Sequence, residues 1–373
     1  MKTIVISAVN LNKGGTLTIL RNCLAYLSVL AQQHGYRVVA IVYKRELADF
    51  PNIEYFETQW AKKRWINRLW FEYVSLKKIS RTIENIDLWL SLHDTTPNVV
   101  AKRQAVYCHN PFPFYKWSWQ ECCRAPRIVL FALFSKWIYR IGIYKNSYVI
   151  VQQQWLKDEF KRMFGLAKSK IILALPNKLD PVTCNTVIPT AVDRPYTFIY
   201  AAAPDSHKNF EVICRAAALL EKKYGKPNFR VYLTVLGNEN AYASWLFKQW
   251  GSLQSLAFIG FQSRQLLYAY YAQSDCLIFP SKVETWGLPI TEFASFDKPM
   301  LLANSLYAYE TAAGADKTAF FDPAKPEQLA LQMEQLIAGD DGFLLTIPAR
   351  EFEEPMTHDW KELFEKLLND AKN

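Results

Sequence analysis

Asp275-Cys276-Leu277-Ile278-Phe279-Pro280-Ser281-Lys282-Val283-Glu284-Thr285-Trp286-Gly287-Leu288-Pro289-Ile290-Thr291-Glu292 is the stretch on which the reading of the fold turns. Cys276 to Phe279 is a short apolar run of the kind a buried strand gives. Pro289 suits the first position of a helix, where its missing N–H costs nothing. The segment therefore reads as strand, loop and helix, and in an open parallel sheet ligands bind at such junctions. That places Glu284 on the loop and Glu292 in the first helical turn, two carboxylates bordering one crevice. Gly287 lets the backbone come close to a ligand, and the unpaired N–H groups from Leu288 onward can receive an anion such as a phosphate. For an isolated pair of glutamates the plainer account is that Glu292 complements the helix dipole and Glu284 is solvated.

Outward from that stretch, strands keep alternating with helices. Thr197 to Tyr200, Val231 to Leu236 and Ala257 to Gly260 read as strands, with a helix over Ser263 to Gln273, which implies a parallel sheet in an α/β fold. The first half repeats the pattern with Ile4 to Ile6, Arg37 to Tyr43, Asp87 to Leu92, Ala105 to Cys108 and Ser147 to Gln152. Asn10 to Thr16 is read as a loop, followed by a helix from about Leu17 to His34 that Gly35 stops. No G-x-G-x-x-G occurs, which counts against a dinucleotide fold, and Gly14-Gly15 taken alone is an ordinary tight turn. His93 and His109 each follow a strand's carboxyl end, where a crevice in such a sheet lies. Either one alone is as readily a satisfied structural histidine.

A chain of 373 residues suits two domains better than one core. The polar, Pro- and Thr-containing residues 179 to 195 mark the boundary, giving a first domain over 1–178 and a second over 179–354. Seven cysteines without a CxxC pair and five scattered histidines point to a reducing compartment, no disulfide framework and no metal. No apolar run is long enough to span a bilayer, and Met1 to Ser7 reads as a first strand rather than a signal peptide, so a cytoplasmic protein is expected.

The net charge of +9 divides unevenly: residues 1–180 carry +15 and 181–373 carry −6. The basic half should meet something anionic. No nucleic-acid motif accompanies the charge. Instead, two stretches mix bases with aromatics. Trp60 to Arg81 reads as an amphipathic helix with Trp65, Ile66, Leu69, Trp70, Tyr73 and Val74 on one stripe and Lys62, Lys63, Arg64, Arg68, Lys77 and Lys78 beside it. Phe112 to Tyr144 sets Trp117, Trp119, Phe131, Phe134 and Trp137 among Lys116, Arg124, Arg127, Lys136 and Arg140, with Glu121 its one acid. Such stripes commonly pack on a sheet, yet the mixture also suits an anionic lipid surface on the inner face of the cell membrane.

Two glutamates with seven residues between them around Gly-Leu-Pro, with His207-Lys208-Asn209, Leu236-Gly237, Phe258-Ile259-Gly260, Pro299 and Phe321-Asp322-Pro323 in order, resemble the retaining, nucleotide-sugar-dependent glycosyltransferases of family 4. The resemblance covers residues 196 to 330 and is looser before them. It implies the GT-B fold: two facing Rossmann-like domains, a cleft between them, and a C-terminal helix, 355–373, crossing back to the first. It implies a nucleoside diphosphate sugar as donor and a glycan or lipid-linked acceptor, as in cell-surface polysaccharide synthesis. By that resemblance Glu284 meets donor-sugar hydroxyls, Glu292 the ribose, Lys208 the diphosphate, Phe261 the base, and Gly14, Gly15, Gly287 and Leu288 the donor through their backbone. His109, in Tyr-Cys-His-Asn-Pro, resembles the histidine aimed at the donor sugar, and Ile171 to Lys178 resembles the interdomain Pro-Asn linker. Many relatives carry an arginine five residues before this lysine, where the chain has Ala203, so one of two usual cations is missing. A GT-B sugar-nucleotide epimerase, or a silent membrane-bound partner of a polysaccharide assembly complex, is the alternative. Sugar, base, linkage and oligomeric state are not legible.

Overall fold

The protein is described from a computed structural model covering residues 1–115, 126–175, 194–225 and 227–369. It divides into two compact units, Met1–Asn177 with Phe352–Asn373, and Lys178–Glu351. Each is built on one parallel sheet.

The first sheet comprises β1 (Thr3–Ala8), β2 (Arg37–Val42), β3 (Ile53–Glu57), β4 (Ile86–Ser91), β5 (Arg103–Tyr107), β6 (Tyr148–Val151), β7 (Ile171–Ala174) and, from the far end of the chain, β14 (Met356–Thr357). Their order is β14-β7-β6-β5-β4-β1-β2-β3. The apolar runs of β1, β2 and β4 are buried on both faces, as a parallel sheet requires. Ile4, Ile6, Val38, Ala40, Leu88 and Leu90 pack against the helices Gly14–His34 and Trp360–Leu368. Val5, Val39, Ile41 and Trp89 face the other way, onto Phe71, Leu76 and Ile83. At the edge, β3 is only half buried, so its Ile-Glu-Tyr-Phe-Glu reads weakly as a strand. Ile171–Ala174, expected to lead into a linker, is a fully buried strand; the Pro176-Asn177-Lys178 that prompted that expectation lies outside the described residues.

The chain's return completes this unit. Thr357 pairs with Ala174 on β7. Asp359 caps the last helix, its side chain accepting from Glu362 N at 2.8 Å. Tyr26 and Phe364 stack at 5.6 Å, and Arg103 donates to the carbonyl of Leu368 at 2.7 Å. Trp360, Leu363, Phe364 and Leu367 are buried, contributing about 6–12 kcal/mol of gross apolar burial. Lys157 is buried too, and its ammonium donates to the carbonyls of Glu353 at 2.8 Å and Glu354 at 2.9 Å.

The second sheet comprises β8 (Tyr196–Tyr200), β9 (Phe229–Leu233), β10 (Leu256–Phe258), β11 (Cys276–Phe279), β12 (Met300–Ala303) and β13 (Thr318–Phe321), in the order β10-β9-β8-β11-β12-β13. In each sheet the order reverses beside the first strand: between β1 and β4, and between β8 and β11. Loops leaving the carboxyl ends of such a pair frame a ligand crevice.

Two helices differ from expectation. The first begins at Gly14, so Gly14 and Gly15 are its opening residues and not a loop before it. The stretch from Trp60 is not one helix: Trp65–Trp70 and Leu76–Thr82 are α-helical, joined by a π-helical turn, Phe71–Ser75. Trp65, Ile66, Leu69 and Trp70 consequently face solvent, while Phe71, Glu72, Leu76 and Ser80 face the core. Lys116, Trp117, Trp119, Glu121, Arg124 and the side chains of Arg127 and Phe131 lie outside the described residues. No helix among the described residues is long and apolar enough to cross a membrane.

Candidate functional site

In the second unit, two loops meet at the sheet's reversal. After β8 the chain runs through Ala201 to Asp205 into a 3-10 turn, Ser206–Lys208, and then Asn209, whose φ of 58° turns it into the helix Phe210–Tyr224. After β11 it runs from Pro280 to Gly287 and enters the helix Leu288–Ala294. The loops are stitched together. Lys282 N donates to the carbonyl of His207 at 2.9 Å, and Asn209 Nδ2 donates to the carbonyls of Pro280 at 3.2 Å and Pro323 at 2.9 Å. Tyr200 and Tyr307 hold them from beneath, donating to the carbonyls of Lys208 at 2.8 Å and Ser281 at 2.6 Å. The Pro-Ser, His-Lys-Asn and Phe-Asp-Pro segments thus become one scaffold.

On that scaffold Lys208 Nζ lies 2.5 Å from Glu284 Oε1, with both side chains mostly buried. A charge-assisted contact across two loops 76 residues apart fixes an ammonium and a carboxylate at one point of the crevice. Gly287 has a φ of 90°, which a side chain would strain, and a Cβ there would sit 3.3 Å from Ile290. The helix starts at Leu288, so Pro289 is its second residue and Glu292 lies in the second turn; the expected first-turn placement is one residue off. Glu292 instead borders Tyr271 and Arg264 of the helix Arg264–Gln273. Burial pushes its carboxyl up to about 7, against the pull of the Arg264 charge.

Arg264, capped into its helix by Ser263, and Lys282, 3.7 Å from Glu211, are cations near the crevice that the motif reading passes over. Their positions depend on folding alone. Phe261 is 91% exposed, beyond the edge strand β10 and two strands from β8, so it stands apart from Lys208 and Glu284. Gly237 and Gly260 have packing reasons of their own, since a Cβ would collide with Phe247 and Leu236 respectively. Ala203 is exposed in the loop after β8.

The first unit has its own cluster at the ends of β1, β4 and β5. Gly14 and Gly15 open a 21-residue helix, and a Cβ added at either would meet no atom within 4 Å, so the space beside them is open. His109 stacks on Tyr107 at 4.5 Å, and its backbone N–H donates to Asp94 Oδ1 at 2.6 Å. Burial lowers its pKa, keeping the ring neutral. His93 is lowered to about 4 by burial, although Glu72 lies 3.3 Å from its Nδ1. Arg68 ties these pieces together. It donates to Glu72 at 2.9 Å and to the carbonyl of His93 at 2.9 Å, and it reaches the side-chain oxygen of Asn10 at 2.9 Å. Expected on a basic surface flank, Arg68 instead points into this cluster. Burial works against its charge, and Glu72 outweighs that.

Two parallel α/β units whose chain ends by returning to the first define the GT-B fold. Residues 187–346 match the family described as Glycosyl transferases group 1. None of the curated proteins matches the chain. Among solved structures, a sucrose-phosphate synthase from Thermosynechococcus elongatus aligns at a TM-score of 0.64 and 14% identity, over 99% of this chain and 95% of its own. Anabaena Alr3699/HepE in complex with UDP-glucose aligns at 0.61 and 14%, over 99% and 96%. WaaG, a glycosyltransferase involved in lipopolysaccharide biosynthesis, aligns at 0.60 and 13%, over 91% and 90%.

Proposed function

We propose that the protein is a retaining glycosyltransferase that moves a sugar from a nucleoside diphosphate donor to a glycan or lipid-linked acceptor in cell-surface polysaccharide synthesis. The observation that carries this is the Lys208–Glu284 pair at the reversal point of the second sheet, within the matched family segment. The binding of UDP-glucose by Anabaena Alr3699/HepE, of the same fold, supports a donor of that class.

Breaking the bond to the diphosphate builds negative charge on the leaving oxygen, and a fixed cation there lowers the barrier. Lys208 supplies it, released from Glu284 as phosphate takes the ammonium and donor-sugar hydroxyls take the carboxylate. Backbone N–H groups at Gly287 and Leu288 approach the donor, Glu292 holds the ribose, and the exposed Phe261 is available to stack on the base. The family resemblance assigns Gly14, Gly15 and His109 to the donor as well. With retention, the departing phosphate can take the acceptor's proton, so no protein nucleophile is needed, and Lys208 supplies the positive charge without a metal.

The test is transfer from a panel of nucleotide sugars, with and without EDTA, in the wild type and Lys208→Ala. Saturable transfer that survives chelation and collapses in the variant supports the reading. Donor isomerisation without an acceptor would make the protein an epimerase, and abolition by EDTA with recovery on Mg²⁺ would remove Lys208 as the leaving-group cation. A bound donor at 100 times its dissociation constant adds roughly 2.7 kcal/mol of apparent stability, so a thermal-shift screen identifies the donor first.

A further inference from the structure

We propose that the first unit docks on an anionic lipid bilayer through two outward-facing apolar strips. The first is the helix Trp65–Trp70, where Trp65 is 51%, Ile66 71% and Trp70 59% exposed. The second is the helix Pro126–Arg140. Its inward face is Ala132, Ser135 and Tyr139, and its outward face carries Leu133, Phe134 and Trp137, the last two 58% exposed. Ile141 and Tyr144, in the turns that follow the helix, are exposed as well. A helix that turns its larger apolar side chains to water has a second surface to bury them against.

Charge selects the occupant. Between Glu57 and Glu72 the chain has four bases and no acid, and between Glu121 and Asp158 it has six bases and no acid. Arg68 and Lys157 are turned inward, but Lys63, Arg64, Lys136 and Arg140 are exposed beside the strips. Tryptophans flanked by lysine and arginine seat their rings at the headgroup level of a bilayer while the cations meet anionic phosphates. Both strips flank one loop. Asn98 N donates to the carbonyl of Glu72 at 3.1 Å, and Asn146 Nδ2 donates to Thr96 Oγ1 at 2.6 Å. That loop starts at His93 and Asp94, so the docking strips are tied to the carboxyl end of the first sheet. Only the lipid-linked nature of the acceptor rests on the transferase reading; docking itself needs neither donor nor acceptor.

Co-sedimentation with vesicles of phosphatidylcholine alone or with phosphatidylglycerol added, at low and high salt, tests it. The wild type should partition to the anionic vesicles, and salt should weaken it. Lys63→Glu with Arg64→Glu, and separately Trp65→Ser with Trp137→Ser, should each weaken binding about tenfold or more. All four residues are exposed, so UDP binding measured on the same samples stays unchanged and separates this proposal from the donor site. Equal partitioning to neutral and anionic vesicles, or undiminished binding in both variants, overturns it. So does a soluble dimer that the tryptophan variant dissociates, because the strips would then belong to a second copy.

Discussion

Glu292 carries a sign that can be measured. Its folded pKa of about 7 lies above the ordinary carboxylate value of 4.5, so the folded state holds a proton that the unfolded chain releases. Stability from this group is full below about pH 4.5 and is lost as pH rises through about 7. Glu292→Gln should match the wild type near pH 4 and exceed it by about 1–3 kcal/mol at pH 8 in urea unfolding, while weakening nucleotide binding. A constant difference across pH would mean that the carboxyl is not buried. Gly15 offers the reverse dissociation of stability from activity. Its backbone is helical and its surroundings are open, so Gly15→Ala should raise stability by about 0.4–1 kcal/mol yet lower transfer if a donor phosphate fills that space. Unchanged turnover would leave the glycine without a part in binding. Lys208→Ala should lower transfer on the order of 10²-fold, and Ala203→Arg in that background should restore part of it. Glu284, Lys208 and Gly287 were legible because motif and strand-loop-helix context agree at those positions. Arg68 was not, since its partners Glu72 and His93 are 4 and 25 residues away and only the fold aligns them.

Among the elements, the central strands were readable because burial on both faces leaves unbroken Val, Ile and Leu runs. The segment from Trp60 was misread for a physical reason. The π-helical turn, Phe71–Ser75, inserts extra residues per turn and rotates the buried face from the Trp65 stripe to Phe71, Glu72 and Leu76. A period-based reading carries the stripe straight on. β7, with β14 against it, is held by Lys157, so Lys157→Met keeps the volume but removes the ammonium from the carbonyls of Glu353 and Glu354, while that of Pro355 still accepts from Leu173 N. That should cost about 1.5–3 kcal/mol in the stability of the first unit and expose residues 352–369 to proteolysis. An unchanged protease pattern would show that β14 and the last helix hold without it.

For the whole molecule, two units with separate cores should melt in two transitions if they unfold independently, and UDP should move the one that belongs to Lys178–Glu351. Deleting residues 352–373 tests the chain's return: the transition of the first unit should fall while the UDP-sensitive one stays. Loss of the UDP-sensitive transition instead would place that segment's support in the second unit. The last helix was legible as amphipathic, but its destination came from resemblance, because a two-residue strand such as β14 leaves no pattern to read. The same return dictates an order of events during synthesis. Lys157 must wait for a partner 196 residues later. At about 5–20 residues per second on the ribosome, that is roughly 10–40 s during which the first unit lacks its closing helix, while the second has already emerged. The apolar groove that Trp360 and Phe364 will fill is then open, and a chaperone that binds extended apolar surface would find this nascent chain in that interval.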